Sequence, residues 1–286
     1  MDWIAAQAPL EWNVGRAPLE WNAGRERLKA PIFTPLAPAI AKLPAEHWPT
    51  HADLTAAAAG ITTAQGQALR FVPPREQTDR ERRDYERRIA TTGEVETRPE
   101  NWHDLFNALA WITYPQAKAR INAQHAAILE EGGEEEARRR SPERDALTLF
   151  DEGGVIVASR SPQLLRLMID FEWKELFWNR RADLDANVRF LAFGHACYEQ
   201  SLAPYIGMVA KTVFVPVDEL FFMLPVEAQV AQADALVAAH FAHRAKFPSP
   251  KAMAPMPVLG VPGWHFAPQD AAFYDDPGHF RSKGVR

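Results

Sequence analysis

The clearest pattern of apolar and polar positions lies in Trp102–Leu129, where two amphipathic segments flank Tyr114. The first segment ends at Trp111, and the second starts at Pro115, a residue favoured in the first turn of a helix. Apolar residues recur at intervals of three and four in both segments. The pattern predicts a helical hairpin, in which residues equally distant from Tyr114 lie at nearly the same height.

Shorter patterns of apolar residues predict strands and helices along the rest of the chain. The predicted strands are 68–72, a small hairpin at 89–98, two strands within 146–159 around a turn at 151–154, 188–193 and 211–215. The predicted helices are 36–43, 52–59, 164–169, 173–178, 196–202 and 226–243. These elements lack the regular βαβ rhythm of a doubly wound sheet. We therefore predict one α+β domain, helix-rich, around a small and mostly antiparallel sheet.

The N-terminal part of the chain contains a short duplication. Residues 8–16 recur at 17–25 with a single change, from Val14 to Ala23. Two copies of this length cannot form a solenoid, since solenoid repeats are longer and need at least three copies. We interpret residues 1–30 as a tail, and expect that deleting residues 1–28 changes the melting temperature by less than about 2 °C. The alternative is that Trp12 or Trp21 folds back onto the body, in which case the melting temperature falls further.

Prolines recur throughout the C-terminal part of the chain and oppose regular structure there. We therefore predict an extended tail over residues 248–286. This tail is expected to pack on the domain of residues 31–247 through apolar side chains such as Val258 and Trp264.

Composition narrows the class of protein. With 286 residues and 47% hydrophobic content, the chain can bury a substantial core. A net charge of -5 argues against a generic nucleic-acid-binding surface. The single cysteine, Cys197, excludes an intrachain disulfide and a multi-cysteine zinc site, and we interpret it as a small core residue. The sequence shows no secretory signal and no apolar run long enough to span a bilayer, so we expect a soluble, cytoplasmic protein.

The predicted hairpin carries polar residues beside its apolar stripe. His103 and Asn107 share one face of the first helix, and Asn122 and His125 border the apolar face of the second. Histidine exchanges protons near neutral pH and is the commonest metal ligand, so two facing histidines are a candidate site. The alternative is that these side chains only join the two helices through satisfied hydrogen bonds.

Three further residues complete the candidate site. His195 lies where a predicted strand gives way to a helix, a common location for functional residues, and Glu199 follows one turn later and could orient it. Asp145 precedes a predicted strand, and Asp151 lies in the predicted turn beside Glu152, where both acids could equally be solvent-exposed turn residues. The charged run 78–88 is interpreted as a solvated helical face.

We therefore predict a common pocket lined by two groups of residues. The first group is His103, Asn107 and His125, and the second is one or more of Asp145, Asp151 and His195. In a catalytic pocket of this kind, a neutral histidine acts as a general base or a metal ligand. A carboxylate then orients the histidine or completes the coordination.

The doublet of His103 and Asp104 also invites comparison with metal-dependent phosphohydrolases of the histidine–aspartate type. Those enzymes need a further upstream histidine and a downstream aspartate. His47 or His51 could serve as the upstream histidine, and Asp145 or Asp151 as the downstream aspartate, but no spacing selects between them. Fingerprints of P-loop, Rossmann, zincin and serine hydrolase enzymes are absent from the sequence.

Four motifs carry a resemblance to a known family. They are Asn101–Trp111, Arg144–Gly154, Phe193–Ala196 and Pro257–Trp264. On these motifs the chain resembles the bacterial domain-of-unknown-function family number 3025 from about Pro31 to Trp264, with the duplicated tail outside. The resemblance implies a soluble bacterial protein with this arrangement of motifs, and it transfers no catalytic residue.

Two functions fit the sequence. One is a hydrolase-like enzyme that uses a pocket of histidines and carboxylates, with or without a divalent metal. The other is a non-catalytic binding or scaffolding protein whose buried polar residues are structural. The sequence assigns neither a cofactor nor a partner, and spatial convergence of the histidines and an acid would favour the enzyme.

Overall fold

The computed structural model describes residues 19–76, 84–265 and 270–283 of the chain. The helices are α1 (Trp21–Arg27), α2 (Ala37–Ile40), α3 (His51–Ala57), α4 (Tyr85–Thr92), α5 (Trp102–Thr113), α6 (Pro115–Arg138), α7 (Pro142–Gly153), α8 (Pro162–Ile169), α9 (Arg181–Asn187), α10 (His195–Ser201), α11 (Glu219–Met223) and α12 (Val226–Phe241). The strands are β1 (Arg70–Val72), β2 (Glu94–Glu96), β3 (Gly154–Ser159), β4 (Val188–Ala192), β5 (Val209–Pro216) and β6 (Ala254–Pro257). A π-helical turn, Glu175–Asn179, and several short 3₁₀ turns connect them.

The main sheet has the strand order β4-β3-β5-β6. Strand β3 runs antiparallel to β4 and parallel to β5, and β5 runs antiparallel to β6. Strands β1 and β2 form a separate parallel pair. The helix-rich α+β class is confirmed, and the sheets contain both parallel and antiparallel ladders.

Strand β3 lies at the centre of the molecule, with all of its residues buried. Because side chains alternate across a strand, Val155 and Val157 face one core and Ile156 and Ala158 face the other. The first core includes α5, and the second includes α7 and α12. Cys197 is buried in the first core, as the sequence predicts.

The predicted helical hairpin is confirmed as α5 and α6. The Asn101 side chain accepts a hydrogen bond from the Asp104 backbone N–H (3.0 Å) and caps α5. Pro115 opens α6, whose next two backbone N–H groups donate to the buried Asp234 carboxylate. Near its far end α6 is interrupted at Gly133, which has φ 56°.

Of the two strands predicted within 146–159, the second is confirmed as β3, and the first is wrong because α7 occupies that part of the range. Ser141 caps the helix and Pro142 opens it, so the helix begins before the predicted strands. Ala146, Leu147 and Phe150 are fully buried at helical spacing. Two of the predicted acids, Asp151 and Glu152, therefore lie in the last turn of a helix, not in a solvent-exposed loop.

The predicted hairpin at 89–98 is also wrong. Helix α4 runs into this range, Gly93 ends it with φ 71°, and β2 then pairs in parallel with β1. A Cβ atom at Gly93 would lie 2.1 Å from the Ala68 carbonyl oxygen, so the glycine is required by this close approach as well.

The described part of the second copy of the N-terminal duplication, residues 19–25, packs onto the body and does not behave as an unpacked tail. Trp21 is buried and stacks on Trp102 with ring centroids 5.6 Å apart. Its indole N–H donates to the Ala45 carbonyl (3.0 Å). The first copy, residues 8–16, lies outside the described residues. Because Trp21 is buried, we expect deletion of residues 1–28 to lower the melting temperature by more than about 2 °C.

The proline-rich segment includes regular structure, because Ala254–Pro257 forms strand β6. The edge position of β6 explains this, since a strand at the edge of a sheet needs ladder hydrogen bonds on one side only. Val258 and Trp264 beyond it are buried. Within the described residues, no helix is both long and apolar enough to cross a bilayer.

Candidate functional site

A polar cavity of about 980 Å³ opens between helices α4, α5, α6 and α7 and the start of α10. Its basic side chains are Arg75, Arg98, Lys118, Arg140 and Arg144. Its acidic side chains are Glu76, Glu86, Glu96, Asp104, Asp151 and Glu152. Three histidines, His103, His125 and His195, also line it. The wall therefore presents both signs of charge in nearly equal number.

At one side of this cavity His103, Glu152 and His195 converge, and we call these three residues the histidine–glutamate cluster. One ligand atom from each lies within 4.8 Å of the other two. The Glu152 Oε2 atom is 3.1 Å from His195 Nε2 and 3.9 Å from His103 Nε2. The two imidazole rings meet edge to face with centroids 4.6 Å apart.

The cluster joins three elements that are distant in sequence. His103 is in the first turn of α5, Glu152 is in the last turn of α7, and His195 is the first residue of α10. A Cβ atom at Gly194 would lie 2.3 Å from the Glu152 carbonyl oxygen, so only glycine permits this approach. The end of α7 and the start of α10 therefore meet through a glycine contact.

Each histidine of the cluster has a second carboxylate at its other ring nitrogen. Glu199 Oε2 lies 2.8 Å from His103 Nδ1, and Asp151 Oδ2 lies 3.7 Å from His195 Nδ1. Glu199 thus contacts His103, whereas the sequence suggested that it orients His195. A hydrogen bond of the Glu199 kind orients a metal-binding histidine and leaves Nε2 free to coordinate, whereas Asp151 is too far from His195 Nδ1 for a hydrogen bond.

A buried ion pair lies next to the cluster. The Lys118 ammonium donates to both Asp151 oxygens (2.6 and 2.8 Å) and to Asn107 Oδ1 (2.9 Å). The Lys118 side chain is only 4% exposed. Asp151 therefore has its charge compensated from one side while it faces His195 on the other.

The charges of the cluster keep Glu152 ionised. Burial alone would raise its pKa, but the positive charge of His195, their hydrogen bond and the charge of His103 lower the pKa to about 2. Burial also opposes the charged form of His103. Even so, its hydrogen bond to Glu199 and the charges of Glu152 and Glu199 raise its pKa. The cluster thus contains a carboxylate in the form that binds cations.

Further along the cavity lie Asn122, His125 and Arg144, which we call the inner subsite. All three side chains belong to buried residues. Burial lowers the His125 pKa to about 3, so its imidazole is neutral at physiological pH. Asn122 Nδ2 donates to the backbone oxygen (2.8 Å) and to Oε2 (2.7 Å) of Glu86, whose pKa burial raises.

Five of the six predicted site residues line this one cavity: His103, Asn107, His125, Asp151 and His195. Asp145 is not among the lining residues of the cavity. The helical geometry of α7 explains the difference, because residues six apart lie about 120° apart around a helix. Asp145 instead falls in the first turn of α7, where an acid suits the helix N-terminus.

The histidine–aspartate phosphohydrolase comparison does not match the geometry. The Asp104 carboxylate forms a two-point ion pair with the Arg98 guanidinium (2.9 and 2.8 Å). His51 Nε2 contacts the Thr97 carbonyl (2.8 Å) and lines a different, smaller depression. Neither His47 nor His51 lines the main cavity. The partner of His103 is His195, far downstream.

Five residues of the cavity are not predicted as site residues by the sequence patterns: Glu152, Lys118, Tyr85, Glu86 and Arg144. Lys118 gives a detectable signal, because it shares the polar stripe of α6 with Asn122 and His125 at spacings of four and three. Glu152 was not selected because the sequence predicted a solvent-exposed turn at 151–154, where the structure has the end of α7. Tyr85 and Glu86 lie in a run interpreted as a solvated face, yet both line the cavity.

A family model described as "Protein of unknown function (DUF3025)" matches residues 69–284. No curated protein and no solved structure matches the chain. The matched range includes the histidine–glutamate cluster and the inner subsite, and it begins after the segment that contains Trp21. Because the match covers most of the sequence, the chain belongs to the DUF3025 family.

Proposed function

We propose that the protein is a metal-dependent hydrolase in which His103, Glu152 and His195 bind one divalent cation. Once a bound metal has displaced their extra ring protons, two imidazoles and one carboxylate are a ligand set used by catalytic zinc sites, which keep a fourth position open for water. The observation that carries the proposal is the convergence of these three groups, with Glu199 hydrogen-bonded to the outer nitrogen of His103.

The spacing of the ligand atoms fits a small cation. In a tetrahedral zinc site with bonds of about 2.1 Å, neighbouring ligand atoms lie about 3.4 Å apart. The two separations from Glu152 Oε2 to the histidine Nε2 atoms, 3.1 and 3.9 Å, lie on either side of this value. All three ligand atoms lie within 4.8 Å of one another, so side-chain rotations that bring the two histidine atoms to this spacing would complete the site.

The cavity supplies the remaining requirements of hydrolysis. A cation bound at the cluster would lower the pKa of a bound water, producing a nucleophile near neutral pH. The cavity beside the cluster provides space for a substrate. Lys118, fixed by Asp151 and Asn107, places a positive charge where it could stabilise negative charge that develops on the substrate.

Metal binding is the first test. Elemental analysis of the purified protein, followed by calorimetric titration of the metal-free protein with Zn²⁺, Mn²⁺ and Fe²⁺, should show one tightly bound ion per chain. His103→Gln, Glu152→Gln and His195→Gln should each weaken that binding by at least about 100-fold, because each removes one ligand. His51→Gln is the matched control, since His51 lies outside the main cavity.

Hydrolysis is the second test. Nitrophenyl esters, phosphoesters and anilides report cleavage of ester, phosphoester and amide bonds. We expect cleavage of one class that stops on chelation and returns with the metal. Absence of metal binding would overturn the proposal and favour a non-catalytic binding protein. A bound metal without cleavage of any class would overturn the hydrolase assignment alone.

A further inference from the structure

The inner subsite contains three buried polar atoms that lack hydrogen-bond partners among the described residues. They are Asn122 Oδ1, His125 Nδ1 and Arg144 Nε. Their residues are only 2%, 3% and 7% exposed, and all three line the cavity. Native proteins rarely leave buried polar atoms unpaired, so several of them around one space indicate a place for a ligand.

The hydrogen bonds already present define what the ligand must offer. Both donors of the Asn122 amide are directed at Glu86 acceptors, so Oδ1 is the remaining acceptor and needs a donor. Arg144 Nη1 donates to the Glu136 carbonyl (3.0 Å), whereas Nε remains a donor that needs an acceptor. His125 Nδ1 can take either role, because its neutral ring has two tautomers.

A ligand of this cavity that satisfies these atoms must therefore both donate and accept hydrogen bonds. A carboxylate or a fully ionised phosphate only accepts, so neither would satisfy Asn122. The cavity wall carries five basic and six acidic side chains, so no strong net charge selects an ion of one sign. Hydroxyl groups both donate and accept, and several of them on one ring match a wall of mixed polarity.

We propose that the inner subsite binds a neutral, polyhydroxylated part of the substrate, a sugar or ribose ring, while the bond to be hydrolysed lies at the histidine–glutamate cluster. This assignment of substrate class rests on the proposed function. The volume of about 980 Å³ is enough for such a ring together with a second group that extends to the cluster.

The test measures binding of small probes to the metal-free protein, so that metal chemistry does not enter. N-acetylglucosamine and adenosine are the hydroxyl-bearing probes. Glycylglycine and inorganic phosphate represent a zwitterion and an anion. Titrations followed by protein-observed NMR should show saturable binding of at least one hydroxyl-bearing probe, tighter than that of glycylglycine or phosphate.

Two variants test whether that binding uses the inner subsite. His125→Phe and Arg144→Met each remove an unpaired atom while roughly keeping side-chain volume, and each should weaken probe binding about tenfold or more. Two independent variants keep the test decisive if one of them fails to fold. His240→Phe is the matched control, because His240 also has a buried ring nitrogen without a hydrogen-bond partner in the described part of the chain, but lies outside the cavity.

Three outcomes would separate the two proposals. Tighter binding of glycylglycine or phosphate than of both hydroxyl-bearing probes would overturn the hydroxyl assignment. The proposed hydrolase function would not be affected, because the metal titrations test it separately. Probe binding that is equal in wild type and both variants would overturn the subsite, since the probe would bind elsewhere. Hydroxyl-probe binding that both variants lose, in a protein that binds no metal, would support the subsite and overturn the hydrolase.

Discussion

Two neighbouring residues at the start of α5 lie in contrasting environments. Trp102 packs among Trp21, Trp48 and Phe106, and its indole N–H donates to the Leu19 carbonyl (2.8 Å). His103, the next residue, lies in the polar cavity, where carboxylates approach both of its ring nitrogens. On the Trp102 face of the helix, the indole N–H has a hydrogen-bond partner within the protein. On the His103 face, several charged groups lie close together.

The difference indicates which face serves stability and which serves function. On the aromatic face, large side chains bury their surface and gain free energy on folding. On the cavity face, buried polar atoms of the inner subsite lack hydrogen-bond partners among the described residues. Such arrangements lower stability unless a ligand compensates, so they are typical of functional sites.

The largest expected effect comes from the aromatic face. Trp102→Ala should lower the free energy of unfolding by about 3–5 kcal/mol, because it removes a buried indole that packs on three other rings. His103→Gln should lower it by less than about 1 kcal/mol, since the imidazole is partly exposed and makes its contacts in a charged site. Urea unfolding of both variants measures the contrast. Equal losses would contradict this division of the helix.

The buried ion pair is the next largest effect, and it lies on the cavity face. Asp151→Ala should cost about 3 kcal/mol, because it leaves the buried Lys118 ammonium without its anionic partner. Adding Lys118→Met to this variant should restore most of the loss, since no unpaired charge then remains. If the double variant is as unstable as the single one, the loss comes from packing and not from the unpaired charge.

His125 should make stability depend on pH. Its folded pKa of about 3 lies below its ordinary value of 6.5, so the unfolded chain binds a proton that the folded chain excludes. Stability is fully present above pH 6.5 and is lost as the pH falls towards 3. Relative to His125→Phe, wild type should lose up to about 1.4 kcal/mol per pH unit below 6.5. Parallel pH profiles for the two proteins would contradict a neutral His125.

The smallest expected effect concerns the rim of the cavity. Asp104→Asn removes the ion pair with Arg98, whose side chain is 57% exposed, and should cost only about 0.5–1 kcal/mol. Metal affinity should stay within about threefold of wild type, because the Asp104 carboxylate is directed to Arg98 and is not a member of the cluster. A large loss of metal affinity would place Asp104 closer to the chemistry than its contacts indicate.

The sequence predicted the hairpin and a cavity lined by its histidines together with His195, because helical periodicity and the junction between strand and helix are local signals. It did not predict the role of Glu152. Glycines 153 and 154 indicated a turn between strands. The N-cap Ser141, which marks the start of the helix that ends at Gly153, lies before the range 146–159 in which the strands were predicted. Tyr85 and Glu86 reach the cavity only through tertiary packing of α4 on α6, which no local pattern encodes.

The position of the cluster on three separate elements has a consequence for the unfolded chain. With only one cysteine, this protein cannot use an intrachain disulfide to restrict its unfolded ensemble. A cation held by α5, α7 and α10 would act as a reversible cross-link between segments that are far apart in sequence. Since an ion that binds only the folded state raises its population, the resistance of the chain to proteolysis would then follow the supply of metal in its surroundings.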